Sequence, residues 1–233
     1  MSYQTLLARP PLPAPLYRRT DLPDAVTWDD LVRAGHLVPL TEDVARHRTA
    51  GPTASLRAAA LLPRAAGDVV VVDASAAWLH VPGPAAVLTG AAPSRTVVPH
   101  RLELHRGPVR LAYARERSRP PRRAGALVRR TGFAPGDVVA LTTPAGDRVL
   151  VTSTTRTALD VAGRHEHERA VEVIVALAES GADLAEAAAR VRRAPQWRSR
   201  EETERALEEA SARHAEGSVR RAGAARGLPH ASR

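Results

Sequence analysis

The sharpest change in the hydrophobic pattern of the chain begins at residues 149–152, which are apolar or β-branched and predict a strand. Beyond them the apolar positions recur at the spacing of a helix, and Ser153 or Thr154 can cap its first turn by accepting a backbone N–H. Arg156 and Asp160 stand one helical turn apart, where an ion pair can form. This stretch therefore predicts a strand that leads directly into a capped helix.

The rest of the chain alternates between the same two periods. Short runs of apolar and β-branched residues predict strands at 36–40, 68–73, 86–89, 96–105, 109–113, 126–128 and 137–141. Helical spacing predicts helices at 27–34, 53–62, 75–79, 168–177 and 200–215, and a capping-box pattern starts another at Asp183. We expect Pro63 to stop the second of these helices and Ser75 to cap the third. Together the patterns predict an α+β fold, in which a mixed β-sheet carries packed helices and a helical segment ends the chain.

Proline, glycine and charge divide the chain into five segments. Residues 1–26 are rich in proline and predict an extended arm. Residues 27–50 form a small unit, and 53–195 form the α+β core domain. Residues 196–216 predict a helix on the surface, because few of its positions are apolar. The basic, Gly/Ala-rich tail at 217–233 is expected to be disordered.

Composition adds one feature to this outline, an uneven distribution of positive charge. The net charge is +9, and all 34 basic residues are Arg, as a GC-rich coding sequence would produce. The excess lies in residues 95–130, which hold 11 Arg against Glu103 and Glu116. Such a local field indicates an anionic partner, with a solvated loop as the alternative. The arginines of this candidate nucleic-acid interface are Arg101, Arg106, Arg110, Arg115, Arg117, Arg119, Arg122, Arg123, Arg129 and Arg130.

The absence of lysine and cysteine excludes several kinds of site. Without lysine there is no Schiff-base chemistry, no Walker A phosphate loop and no nuclease site of the PD-(D/E)xK kind. Without cysteine there are no disulfides and no thiolate metal sites. Because no apolar run approaches the ~18–20 residues that span a bilayer, no membrane segment is predicted. Proline interrupts residues 1–16, so we predict no signal peptide and expect a cytoplasmic protein.

Histidine and serine suggest two kinds of site that their spacing does not favour. His165 and His167 lie two positions apart, so on a helix their rings point ~200° apart and cannot share a metal ion. Ser153, Asp160 and His165 suggest a hydrolase, but the glycines of a nucleophile elbow are absent. We therefore predict no catalytic residue, no metal, no cofactor and no enzymatic activity.

Two segments resemble those of a known family. Residues 152–160 match the pattern T-S-x-x-R-T-x-x-D, and residues 75–80 match S-A-A-x-L-H about seventy positions upstream. Both patterns are similar to those of AbiEi-type antitoxins of type IV toxin–antitoxin systems and related stand-alone regulators. Residues 30–38 are similar to the end of a recognition helix that leads into the wing of a winged helix. The matching positions of the first two segments are Ser75, Trp78, His80, Thr152, Ser153, Arg156, Thr157 and Asp160.

The resemblance implies a fold and a function. It implies an antitoxin-like or transcriptional-regulator-like protein without catalysis, which binds DNA upstream of its own gene and counters a cognate nucleotidyltransferase toxin. The fold it implies begins with a reduced winged-helix-like unit at residues 27–50, because no helical pattern precedes them. Nucleic acid would then be contacted by the basic arginines. The alternative is a module that binds no DNA and whose basic face docks an acidic protein.

Overall fold

The computed structural model of the protein describes residues 14–89, 104–194 and 199–226, with side chains as far as residue 221. Its helices and strands confirm a mixed α+β fold with two sheets. The helices are Ala25–Arg33 (α1), Ala54–Ala65 (α2), Asp73–His80 (α3), Pro82–Ala85 (α4), Thr154–Ala162 (α5), His167–Glu179 (α6), Leu184–Arg193 (α7) and Arg200–Arg226 (α8). The strands are Leu16–Arg18 (β1), Leu37–Pro39 (β2), Val44–His47 (β3), Val70–Val71 (β4), Val109–Ala114 (β5), Ala126–Thr131 (β6), Val138–Thr142 (β7) and Arg148–Thr152 (β8).

The first three strands form a small antiparallel sheet in the order β1-β3-β2, and α1 lies between β1 and β2 in the chain. Asp24 caps α1 by accepting the N–H of Thr27 at 2.7 Å, so the helix starts two residues before the predicted position. Trp28 of α1 packs with Leu37 and Ala45 of the sheet. This unit therefore has its own small hydrophobic core.

The second sheet is mixed and has the order β6-β5-β4-β8-β7. The central strands β4 and β8 are parallel, and each is followed directly by a helix, α3 and α5 respectively. Because parallel strands end at the same edge of a sheet, the first turns of α3 and α5 meet at one place. The strands β6 and β7 form the two edges, with β6 parallel to β5.

The main hydrophobic core lies between this sheet and the helices. Trp78 of α3, Leu111 of β5, Val151 of β8, Leu159 of α5 and Ile174 of α6 are all completely or almost completely buried in it. The helix α8 packs against α5, α6 and α7. Most of the chain from α2 onward thus shares one core.

The helix predicted at 200–215 runs from Arg200 to Arg226, so the prediction of a disordered tail is wrong for residues 217–226, and one stripe of the helix is buried. Ala206, Leu207 and Ala210 of α8 are almost completely buried, and the helix continues to Arg226. Two small residues and one leucine make a narrow apolar stripe, which suffices because alanine lets neighbouring helices approach closely. Residues 227–233 lie outside the described residues.

Smaller corrections concern helix ends and one strand. Pro63 was expected to stop α2 but lies inside it, and the helix continues to Ala65. The last turn of a helix tolerates the loss of the one backbone hydrogen bond that proline removes. The helix α3 starts at Asp73, two residues before the predicted cap at Ser75. Asp73 has a φ of 58°, and its carboxylate accepts the N–H of Ala74. Residues 86–89 form a short 3-10 helix instead of a strand. The strand predicted at 96–105 falls mostly outside the described residues.

The burial of α8 can be tested by truncating one side chain. We expect Leu207→Ala to lower the free energy of unfolding by ~2–5 kcal/mol, because it leaves a cavity in the shared core. The control is Val219→Ala on the same helix, where the side chain is 73% exposed and the change should be within ~0.5 kcal/mol. Urea denaturation followed by circular dichroism measures both. Equal stabilities of the two variants would contradict the packing of α8.

Candidate nucleic-acid interface

The two segments of the family resemblance meet in the structure. The ring Nε2 of His80, at the end of α3, lies 2.8 Å from the carbonyl oxygen of Thr152, at the end of β8. Burial lowers the pKa of His80, despite its bond to Thr152, so a neutral ring donates to that carbonyl. The hydroxyls of Thr152 and Thr157 are 2.8 Å apart and both residues are completely buried. These motif residues hold α3 and α5 to the sheet.

Ser75 and Trp78 of the first segment are also completely buried. The Ser75 hydroxyl accepts the N–H of Arg110 at 2.9 Å and lies 2.9 Å from Nε2 of His105. The rings of Trp78 and His105 form an edge-to-face pair with centroids 5.2 Å apart. Burial lowers the pKa of His105 to about 4, so this ring is neutral near pH 7. These contacts fasten α3 to β5.

A cluster of buried charges surrounds the start of α3 and α5. We call it the buried charge cluster; its members are Asp73, Arg110, Arg129, Asp137, Arg156, Asp160, Arg164, His165 and Arg190. The three carboxylates are at most 3% exposed. Five guanidinium groups surround them, so the cluster as a whole is positive. A buried carboxylate is costly unless it is paired, which explains why so many arginines point inward.

Arg156 lies at the centre of this cluster. Its guanidinium donates to Asp137 at 2.8 Å, to Asp160 at 3.5 Å and to the carbonyl of Gly132 at 3.1 Å. It also stacks over the ring of Phe133, 5.5 Å from the centroid. The predicted helical ion pair of Arg156 and Asp160 is thus confirmed, and it belongs to a larger network. Ser153 caps α5 as predicted, accepting the Arg156 N–H.

Asp160 and Asp73 share one arginine from the sheet. Arg129 of β6 lies 3.0 Å from Asp160 and 3.9 Å from Asp73. Arg164 approaches Asp160 at 4.0 Å, while Asp73 also contacts His165 at 2.5 Å and Arg110 at 3.6 Å.

Two of the carboxylates have depressed pKa values. Burial alone would raise the pKa of Asp73, but the bond from His165 and the charges of His165, Arg110 and Arg129 outweigh it. Burial likewise opposes ionisation of Asp137, yet the Ala134 N–H and the guanidinium groups of Arg190 and Arg156 hold its pKa below the ordinary value. Both carboxylates are therefore ionised at neutral pH.

The arginines predicted to contact nucleic acid divide into two groups. Arg110 and Arg129 pair with buried carboxylates, so we assign them to the buried charge cluster and not to the candidate interface. Arg101 lies outside the described residues. The side chains of the remaining seven are exposed or half-buried at the surface: Arg106, Arg115, Arg117, Arg119, Arg122, Arg123 and Arg130.

Six of these seven lie on or beside the connection between the parallel strands β5 and β6. We call this connection, residues 115–125, the basic strap. Arg117 pairs with Asp68 at 3.3 Å, and Arg123 donates to the carbonyl of Arg64, at the end of α2, at 2.7 Å. Arg130 of β6 donates to the carbonyl of Arg115. The strap is therefore fixed near both of its ends.

Between these anchors, Arg119 and Arg122 are exposed on either side of Pro120 and Pro121. No recorded ion pair among the described residues involves either guanidinium group, whereas Arg117 is paired with Asp68. At the far end, Gly125 has a φ of 68°, and a Cβ there would lie 2.9 Å from Nε of Arg64. Among the described contacts, three arginines of the strap have neither an ion pair nor a side-chain hydrogen bond: Arg115 at its start, and Arg119 and Arg122 on the proline-stiffened segment between the anchors.

The small N-terminal unit is close to neutral. Residues 14–50 hold five Arg and six acidic residues. On α1, Asp29 lies 3.7 Å from Arg19 and Asp30 pairs with Arg33. Asp43, in the turn between β2 and β3, pairs with Arg64 of α2 at 3.0 Å. The unit therefore has no excess of positive charge to attract phosphates.

The comparisons with known proteins add no family to this picture. No protein-family model matches the sequence, and no match was found among curated proteins. The resemblance to AbiEi-type antitoxins therefore stays a prediction.

Neither a metal site nor a membrane span is found in the part of the chain that the structure describes. No group of three or more His, Cys, Asp or Glu residues there could hold a metal ion. None of the helices described there is both long and apolar enough to cross a membrane.

No local pattern connects Asp73 with His165 or Asp137 with Arg190, because these contacts join residues 92 and 53 positions apart in the chain. The sequence favours neither a metal site nor a hydrolase arrangement at His165, and in the structure its ring contacts Asp73. The only local signal was the Arg156–Asp160 spacing.

The cluster can be tested by removing one charge. We expect Asp160→Asn to lower the free energy of unfolding by ~3–5 kcal/mol, because it leaves Arg129 and Arg156 without a common carboxylate. The control is Asp30→Asn in the exposed pair with Arg33, where a change of at most ~1 kcal/mol is expected. Equal urea midpoints for both variants would show that the buried pairs contribute nothing.

The depressed pKa values of Asp73 and Asp137 predict loss of stability in acid. In the unfolded chain both groups titrate near ~3.9, whereas in the folded protein they stay ionised to lower pH. Their contribution is therefore present above about pH 4 to 5 and is lost as the pH falls through the folded pKa values. We expect the urea midpoint to fall between pH 5 and 3, and to fall less steeply in Asp137→Asn. An identical slope in that variant would contradict the assignment.

Proposed function

We propose that the protein is a non-catalytic, nucleic-acid-binding protein of the antitoxin or transcriptional-regulator type, and that the basic strap contacts the phosphate backbone. The observation that carries the proposal is the pair of exposed guanidinium groups, Arg119 and Arg122, on a connection that is held at both ends. Exposed arginines that no carboxylate neutralises attract phosphates and release the counterions condensed on them.

Charge balance supports the same surface. The segment Arg106–Arg130 holds nine Arg and one acidic residue, Glu116. After Arg110 and Arg129 are assigned to the buried charge cluster, seven arginines remain, and only one of them pairs with an acidic side chain, Asp68, in the described contacts. Within the described contacts, the surface around the strap therefore keeps an excess of positive charge.

The anchoring of the strap also supports binding. A flexible loop loses conformational entropy when it binds, and this cost weakens the complex. Here the bonds of Arg123 and Arg130 to backbone carbonyls, together with Pro120 and Pro121, already restrict the loop. Arg123 and Arg130 therefore support the contact surface, and the direct contacts are assigned to Arg119 and Arg122.

The N-terminal unit supports a reduced winged-helix-like interpretation only in its order of elements. A helix followed by two antiparallel strands matches the sequence expectation. However, residues 14–50 carry no excess of positive charge, and Asp29 and Asp30 of α1 pair with Arg19 and Arg33. We therefore assign this unit a supporting role, in which Asp43 pairs with Arg64 of α2 near the carbonyl that anchors the strap.

One observation favours the alternative, a basic face that docks an acidic protein such as a cognate toxin. Leu127 of β6 is 55% exposed beside the strap, and an apolar side chain suits a protein partner. A pull-down with and without nuclease separates the two functions. If a partner protein is still captured after nuclease treatment, the result supports docking of an acidic protein. If the captured partner is lost after nuclease treatment, the result supports binding to nucleic acid.

The proposed interface can be tested by charge reversal. We expect Arg119→Glu/Arg122→Glu to weaken binding to duplex DNA at least tenfold at low salt and to reduce the salt slope by about 2, because roughly one counterion is released per phosphate contact. Fluorescence anisotropy across a salt series measures both quantities. The duplexes are the region upstream of the gene and an unrelated sequence, and tighter binding to the former would support autoregulation.

The matched control is Arg148→Glu/Arg192→Glu, which changes the net charge equally. Arg148 and Arg192 are exposed, and they lie on β8 and α7 rather than on the strap. If this control weakened binding as much as the strap variant, the strap would not be the contact surface. If the unchanged protein bound no duplex even at low salt, nucleic-acid binding itself would be disproved.

A further inference from the structure

We infer that the basic strap enters the minor groove of duplex DNA and prefers A·T-rich sequences. This inference rests on the proposed function and adds the groove and the class of sequence. It is carried by the extended shape of the strap and by the spacing of Arg119 and Arg122 on it.

The shape of the strap is that of a ridge between two grooves. One groove of about 320 Å³ lies between the strap and Asp68, Val69 and Tyr113. A second groove of about 320 Å³ lies between the strap and residues 126–128 of β6. Pro120 and Arg123 line both grooves, so the strap separates them, and Arg119 and Arg122 line the second. A ridge of this kind can enter a groove of a partner, whereas a flat surface can only lie across it.

The backbone of this ridge is narrow. Residues 118–123 form neither helix, strand nor turn, and turns bound them at 115–116 and 124–125. Proline fixes its own φ and disfavours helical conformation in the residue before it, which here restrains Arg119 and Pro120. The minor groove of B-DNA is ~6 Å wide, too narrow for a helix of ~10–12 Å but open to an extended chain. The strap therefore fits the groove that α1 could not enter.

The two arginines have the reach and the chemistry for this groove. In an extended chain with ~3.1 Å per residue, Arg119 and Arg122 are separated by ~9 Å, about the length of three base pairs. Arginine favours the narrow minor groove of A·T tracts, where the negative potential is enhanced. Its guanidinium is also more weakly hydrated than an ammonium group, so entering the groove costs less.

Three duplexes of equal length test the inference with the full chain. The first contains A·T pairs, the second G·C pairs, and the third inosine·C pairs, which present an A·T-like minor groove and a G·C-like major groove. We expect the A·T and inosine·C duplexes to bind equally and about tenfold more tightly than the G·C duplex. A small molecule that occupies the minor groove should displace the protein from both.

The variant for this test is Arg119→Lys/Arg122→Lys, which keeps the charge. We expect it to keep the salt slope while its preference for A·T over G·C falls to within about twofold, since lysine is retained less readily in the narrow groove. An unchanged preference in this variant would overturn the role of the two arginines.

The outcomes also separate the inference from the proposed function. Equal affinity for all three duplexes with a steep salt dependence would overturn minor-groove entry and leave nucleic-acid binding intact. If the inosine·C and G·C duplexes bound with equal affinity, and both more weakly than the A·T duplex, the protein would be reading the major groove. That result would overturn the inference as well. No salt-sensitive binding to any duplex would overturn both.

Discussion

The larger sheet depends on carboxylates that are withdrawn from water and surrounded by guanidinium groups. Asp160 receives Arg129 from β6 and Arg156 from its own helix, at 3.0 and 3.5 Å. Each of these charges would be costly to bury alone, so the partners must arrive together. A shift of β6 by one residue would carry Arg129 to the other face of the sheet and leave Asp160 with less neutralising charge. The cluster therefore fixes the register of an edge strand that hydrophobic packing alone fixes weakly.

The same edge strand connects the core with the surface. Arg129 points into the cluster, while its neighbour Arg130 donates to the carbonyl of Arg115 at the start of the strap. The other end of the strap is held by Arg123 at the end of α2, and Arg64 of α2 pairs with Asp43 of the N-terminal unit. A series of polar contacts thus links the buried carboxylates, the strap and the N-terminal unit.

The sequence predicted the features that are local and missed those that are not. The strand and capped helix at 149–162, the cap at Ser153 and the pair of Arg156 with Asp160 are confirmed, because each rests on residues within one or two turns. The contact of Asp73 with His165 joins residues 92 positions apart, and no periodicity records it. The burial of α8 was missed because its apolar stripe is narrow and lies among charges.

The candidate interface shows why composition alone overstates such a surface. Arg129 and Arg130 are adjacent and chemically identical, and the pleat of β6 sends one inward and the other outward. A count of arginines assigns both to an anionic partner, although only the outward one remains at the surface. The charge available to a partner is what is left after the buried carboxylates and the backbone carbonyls have been satisfied. On the strap, that remainder includes Arg115 at its start and Arg119 and Arg122 on the proline segment, whose guanidinium groups have no acidic neighbour among the described ion pairs. The stiff proline segment keeps Arg119 and Arg122 apart from the carboxylates that neutralise Arg110 and Arg129, so folding leaves their charge exposed.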